Sequence, residues 1–354
     1  TGVSASSGFS VEVRESNSTS VEIVMPAEWQ QYLTCELTPD GVVQLGLDTK
    51  RLSGSRGLRI NKGQLTAVVS LPKLSLLKCS SGAVIRCTGI FKGGTVQLRA
   101  SSGGMVDGLS LKASEALIDA SSGGVIRNVA VAGALKTAGN TGGIAGEIAG
   151  TVVENCTADH VAMDLGKGKE TFAGGITGKA AGSVISDCTV NTGDSLNARI
   201  QGGGYVGGIT GFQNDTDIFN AHVMGTIGGS GSQAIGGVTG KYASGKMKVA
   251  RFEGRIASSG LGSSAREGTF IGTHDTGFHF RYGTEAGADL AYLFADTWPE
   301  SAAPGSRTIT GLATTPISAS GTGRTMGLPW SRDRAPGRRR NGTSMRSWRK
   351  ERFM

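Results

Sequence analysis

"LLKCSSGAVIRCTG" (Leu76–Gly89) carries a Ser-Ser-Gly triplet that returns in "LRASSGGMVDG" (Leu98–Gly108) and "IDASSGGVIRN" (Ile118–Asn128). Ser80, Ser101 and Ser121 open the triplets at spacings of 21 and 20 residues. The flanks align as well. Cys79, Ala100 and Ala120 precede the triplet, and Leu77, Leu98 and Ile118 stand two positions earlier. Val84, Met105 and Val125 follow it, and Lys78, Arg99 and Asp119 lie between the apolar positions. Apolar-polar alternation is the pattern of a strand with one face buried. One such unit cannot cover its own apolar side, so a period near 20 predicts a solenoid in which like side chains pile up at the ~4.8 Å strand spacing. Ser-Ser-Gly reads as the corner: glycine reaches backbone angles closed to other residues, and serine satisfies turn groups.

A second repeat follows. "GGIAG" (Gly142–Gly146), "GGITG" (Gly174–Gly178), "GGITG" (Gly207–Gly211) and "GGVTG" (Gly236–Gly240) are spaced by 32, 33 and 29 residues, and "GTFIG" (Gly268–Gly272) is a degraded fifth copy. "VVENCTAD" and "VISDCTVN" place Cys156 and Cys188 at one repeat position, where later copies have Ala221 and Ala250. The slot calls for something small. The two cysteines fall on adjacent repeats, either as a disulfide or as two buried thiols.

Outside the repeats, "FSVEVRE" and "TSVEIVMP" alternate as strands, and "TPDG" (Thr38–Gly41) is a turn between two more. "LTAVVSLP" (Leu65–Pro72) leads into the repeats, and "GADLAYLFADTW" (Gly287–Trp298) is expected to form a short helix capping the far end. The organisation expected is a strand-rich lead-in over 1–70, repeats of about 20 residues over 71–130, glycine-rich repeats with a cap over 131–300, and a basic tail over 301–354. That tail holds 11 Lys and Arg against 2 Asp and Glu, while the first 300 residues hold 25 and 26. It reads as disordered or out of frame. The near-neutral body gives no basic face for nucleic acid. No apolar run is long enough to span a membrane. The start at Thr1 is read as a trimmed form, and the five cysteines include no metal-type pair.

The run Val69–Ile126 resembles the head GIN domain family of auto-transporter adhesins, in which an "LP-L" segment introduces repeats with serine-glycine corners. The likeness covers about Phe9 to Asn128. The later copies, about Asn140 to Gly272, look like the GLUG motif of large bacterial surface proteins. Both resemblances imply a right-handed parallel β-helix on an exported bacterial protein, and neither brings an established catalytic residue.

The sequence assigns no catalytic, cofactor-binding or metal-ligating residue. His274 and His279, with Asp275 between them, are too irregularly spaced for a strand or helix face. Asp107 and Asp119, like Asp159 and Asp187, differ in repeat position, so no carboxylates pair at a shared slot for acid–base work on a sugar. Tyr205, Phe212 and Phe219 cluster in the third glycine-rich copy as packing or as a sugar-binding strip. The expectation is an all-β, non-catalytic, adhesin-like surface module with glycans or cell-surface proteins as partners. The alternatives are a carbohydrate-active enzyme and a spacer.

Overall fold

A computed structural model of the chain describes residues 1–52, 64–132, 134–136, 140–164, 171–193, 200–201, 204–228, 232–257, 266–275, 279–285, 288–294, 309–310 and 315–316. The described residues fall in one compact unit, Thr1–Ala319. Of the basic tail, only Ile309–Thr310 and Thr315–Pro316 are described, as short antiparallel strands; the rest of it, and the expectation of disorder there, lie outside the described residues. The fold is all-β and dominated by parallel pairing.

Alternation in the short repeats does what it predicts. Leu77 pairs with Leu98 and Leu98 with Ile118, and all three are buried. Cys79, Ala100 and Ala120 form the next buried column. Beyond the corner the phase differs from the sequence reading. Ile85, Val106 and Ile126 point inward, and Val84, Met105 and Val125 are half-buried.

These strands continue into long parallel ladders. The first runs from Val42–Leu47 through Gly2–Ala5, Leu76–Cys79 and the later half of Ile90–Ala100 to the later half of Ser110–Ser121. It then passes without a break into the glycine-rich repeats: Ala145–Ala149, Thr177–Ala181, Thr210–Asn214, Thr239–Tyr242 and Ile271–His274. A second ladder runs from Thr66–Leu71 and Ser10–Glu15 to Asp217–Phe219 and Met247–Ala257. A third begins at the first half of Ile90–Ala100 and ends at the same long strand. The two repeat types therefore share their ladders.

A fourth Ser-Ser-Gly, Ser6–Gly8, joins the other three. Ser7, Ser81, Ser102 and Ser122 all have φ near +50°, and the glycine after each is also left-handed. The glycine amides of the first three corners donate to the carbonyl of the second serine in the next corner, at 3.1–3.3 Å. Stacked backbone, rather than serine hydroxyl, meets the turn's amide. The alignment also shows that Gly2–Glu15 is itself a repeat unit, lying between Val42–Leu71 and Leu76–Thr88.

The long repeats add strands. One set, Thr141–Gly142, Phe172–Gly174, Tyr205–Gly207, Ala234–Gly236 and Arg266–Gly268, forms a separate parallel sheet. It fills space that a large side chain occupies in the short repeats. The register that stacks Leu77, Leu98 and Ile118 continues as Gly146, Gly178, Gly211, Gly240 and Gly272. A Cβ on Gly211 would come within 2.5 Å of the Ala173 amide nitrogen, and one on Gly240 within 2.7 Å of that of Val206. The last glycine of each GGxxG is there because a strand backbone presses against it.

Both ends are covered by antiparallel strands. At one, Ser20–Val24 covers Thr66–Leu71 and Leu33–Leu37 covers Val42–Leu47. Between them, in the 3-10 turn Ala27–Tyr32, Trp29 is buried in the common core. At the other end the expected helical cap is a strand. Ala288–Phe294 pairs antiparallel with both Met247–Ala257 and His279–Glu285. The open edge of Met247–Ala257 offers a row of backbone donors and acceptors that a helix cannot satisfy, and this outweighs the local helical pattern. Gly287 and residues 295–298 of that stretch lie outside the described residues.

Candidate binding face

Outward positions stack as strictly as inward ones, so each ladder presents columns of surface side chains. The column of the second ladder alternates in charge: Glu12, Arg86, Asp107, Arg127, Glu154. Neighbours neutralise one another, with Arg127 donating to Glu154 at 2.6 Å and Arg86 lying 3.7 Å from Asp107. Such half-exposed pairs hold register and add little energy, typically 0–1 kcal/mol.

The first ladder's column is segregated instead. It runs Lys78, Arg99, Asp119, Glu147, Lys179, Phe212, Lys241, Thr273. Beside its far half runs a second column, Asn140, Phe172, Tyr205, Ala234. Phe172 stacks on Tyr205 with centroids 5.4 Å apart and leans on Phe212 at 5.1 Å. The Lys241 ammonium lies 5.6 Å from the Tyr205 ring and 5.7 Å from the Phe212 ring, and is paired with Asp275 at 3.0 Å. All three rings are half-buried. This ridge of apolar rings under a cation is the best-formed candidate contact surface among the described residues.

Of the aromatics singled out in the sequence, Tyr205 and Phe212 join this ridge. Phe219 does not: it lies in the second ladder between Ser186 and Lys248. Phe172 was missed, although it precedes its glycine pair by the same two residues as Tyr205. Asp107 and Asp119 stay apart, each beside an arginine. Two carboxylates do share a slot, which corrects the sequence reading: Asp119 and Glu147 are register neighbours. Arg99 lies 3.8 Å from Asp119, and Lys179 is bonded to Glu147 at 2.8 Å. Asp159 and Asp187 remain separate, Asp159 accepting from Asn191 and Asp187 from Asn220.

His274 lies in the first ladder beside Tyr242, and the side chain of His279 lies outside the described residues. Among the described residues no three His, Cys, Asp or Glu side chains converge as a metal site. Cys156 and Cys188 are buried free thiols at adjacent register positions, and the Thr189 amide donates to the Cys156 carbonyl at 2.9 Å. A hydrogen bond to Cys156, reinforced by burial, holds the Cys188 thiol well above the usual range. Burial pushes Cys79 up to about 11. Burial and the Asp107 charge push Cys87 to about 12.

Residues 1–164 match the family described as "Putative auto-transporter adhesin, head GIN domain". The match runs past the change of repeat type and ends in the first glycine-rich repeat. No curated protein matches the chain. The family description points to a surface, adhesin-like module.

Proposed function

We propose that the chain is an exported, non-catalytic adhesin-like module whose ladders close into a right-handed parallel β-helix, and that its segregated face holds an extended glycan. Right-handed closure is supported by the strong bias of parallel strand–crossover–strand connections toward that hand. The glycine-rich repeats, which resemble the GLUG motif of bacterial surface proteins, extend the rod beyond the family match. The observation that carries the reading is the register of the first ladder together with that of the separate sheet beside it. The first lines up Lys179, Phe212 and Lys241, and the second Phe172 and Tyr205, along the direction in which strands stack. A linear polymer laid along that direction meets stacked aromatic rings and the carboxylate-paired lysines Lys179 and Lys241 at the strand spacing, whereas the outward column of the second ladder opens with a run of alternating, self-neutralised charges from Glu12 to Glu154.

A glycan array probed with the full chain tests this. Binding that drops about tenfold or more in Tyr205→Ala, with circular dichroism unchanged, supports it; one lost aromatic contact of 1.4 kcal/mol corresponds to that factor. Binding indifferent to Tyr205 and Phe172 moves the site elsewhere. No binding to any glycan leaves a spacer. The in-register carboxylates Asp119 and Glu147 favour one second reading, a polysaccharide-cleaving enzyme. Release of new sugar ends from a bound polysaccharide, abolished by Glu147→Gln, would establish that reading instead.

A further inference from the structure

At the end covered by Leu33–Leu37, one strand edge has no partner among the described residues. The strand pairs only with Val42–Leu47, without a bulge. Thr38 donates to Val42 and Asp48 to the Tyr32 carbonyl, so the even-numbered positions spend their backbone groups on that neighbour. Antiparallel pairing alternates, so the C=O of Leu33 and the N–H and C=O of Cys35 and Leu37 face the free edge, while the Leu33 N–H donates to the Gln30 carbonyl. The same three residues are the strand's apolar set. Leu37 is 68% exposed, and Cys35 is the one exposed cysteine of the five. Usual edge protection by lysine, proline or a bulge is missing from this strand.

Self-pairing decides the occupant. A twofold axis at the middle of the neighbouring cover strand, Ser20–Val24, would set Glu22 against its own copy, a like-charge clash. A twofold axis at the middle of Leu33–Leu37 sets Cys35 against Cys35, Leu33 against Leu37 and Thr34 against Glu36, with no like charges opposed. We propose that Leu33–Leu37 is a homodimerisation edge, adding the same strand of a second copy antiparallel about a twofold axis at Cys35. Cys35 then forms a hydrogen-bonded cross-strand pair with Cα atoms ~5.5 Å apart, inside the 4.4–6.8 Å range of disulfides, and the wider Cβ spacing of such a pair has to close to ~4 Å as the bond forms. Five residues a side bury far less than the ~1,200 Å² of a stable interface. The reduced dimer is therefore weak, and the disulfide fixes it. With oxidised glutathione as oxidant, two Cys35 thiols become one disulfide, and the two electrons and two protons leave as two glutathione thiols.

The test uses the full chain with oxidised glutathione, read on non-reducing gels. The expected product is a band at twice 36.2 kDa that dithiothreitol abolishes and Cys35→Ser lacks. Register separates pairing from random collision. In the Cys35→Ser background, Leu33→Cys and Leu37→Cys chains should crosslink with each other about tenfold faster than either does with itself, because only the mixed pair is directly opposed. Equal rates in all combinations overturn the proposal, since they report collision of exposed thiols. Monomer only, with Cys35 open to iodoacetamide, overturns it as well. Monomer with Cys35 protected shows the edge covered from within the chain and overturns it too.

Discussion

Leu98 and Gly211 occupy the same column of the same ladder, yet one is a large buried side chain and the other has none. The short repeats have nothing but side chains with which to fill the interior, so the column is Leu77, Leu98, Ile118. The long repeats bring in a further strand, whose backbone lies where the leucine would be. Repeat length and core residue size are therefore one variable. Each added strand is matched by the loss of a side chain, and this lets two sequence motifs with nothing obvious in common share continuous ladders.

The harshest way to break the comparison is to put the short-repeat residue into the long repeat. Gly211→Leu drives a side chain into the Ala173 amide, where a Cβ alone reaches 2.5 Å. Backbone cannot yield as a side-chain tip can, so a loss above about 4 kcal/mol is expected. Hydrogen exchange should rise across residues 172–242 while residues 2–15 and 76–107 stay protected. Uniform destabilisation would mean that the two repeat types unfold as one cooperative unit. The reverse exchange, Leu98→Ala, leaves a cavity between Leu77 and Ile118 and should cost about 2–5 kcal/mol, read by urea denaturation. A cost under about 1 kcal/mol would show that the short-repeat core collapses freely.

The column of leucines was legible because strand alternation is local and the period near 20 repeats it in phase. The glycine column was legible as a repeat, but its cause was not. Nothing near Gly211 in sequence announces that Ala173, in the preceding repeat, will press on it. Ser6–Gly8 was in plain view, yet its partner corner lies some 74 residues onward, past a segment that interrupts the period. The carboxylates Asp119 and Glu147 escaped for a related reason. Their separation of 28 belongs to neither repeat length, because it spans the junction between the two. The strand at Ala288–Phe294 was read as a helix because local pattern cannot register an unpaired edge elsewhere. On the candidate face, the sequence grouping of Tyr205, Phe212 and Phe219 left out Phe172 and took in Phe219, because nearness in sequence within one copy stood in for position relative to the glycine pair, which Phe172 and Tyr205 share.

Alkaline pH sharpens the comparison through the thiols of the short repeats. Cys79 and Cys87 are pushed to about 11 and about 12 by burial, while an unfolded thiol ionises near 9. A raised folded value means that the native state holds its proton longer. The stability this contributes is complete below pH ~9 and is lost as pH rises toward 11–12, by roughly 2–3 kcal/mol for Cys79. Cys79→Ala places the residue already found at Ala100 and Ala120 in that slot. The variant should lose this part of the alkaline slope in urea midpoints taken from pH 8 to 11. An unchanged slope would assign it to other groups.

The smallest effects belong to the corners and outer columns, where the two repeat types are alike. Asn128 and Asn155 sit at left-handed corners, each donating its side-chain amide to the residue one repeat earlier, at 2.6 Å. Asn220 does the same to Asp187 at 2.7 Å. Asn155→Ala removes such a bond and leaves a Cβ residue at φ near +51°, so a loss of about 1–2 kcal/mol is expected. Arg127→Ala, in the alternating charge column, should cost at most about 1 kcal/mol and less in high salt. The order of these two is the informative quantity. If Arg127→Ala proves the costlier, the outer charges and not the corner amides set the register of the ladders. The alternating face would then be the element that aligns the segregated one, and its neutrality would follow from that task.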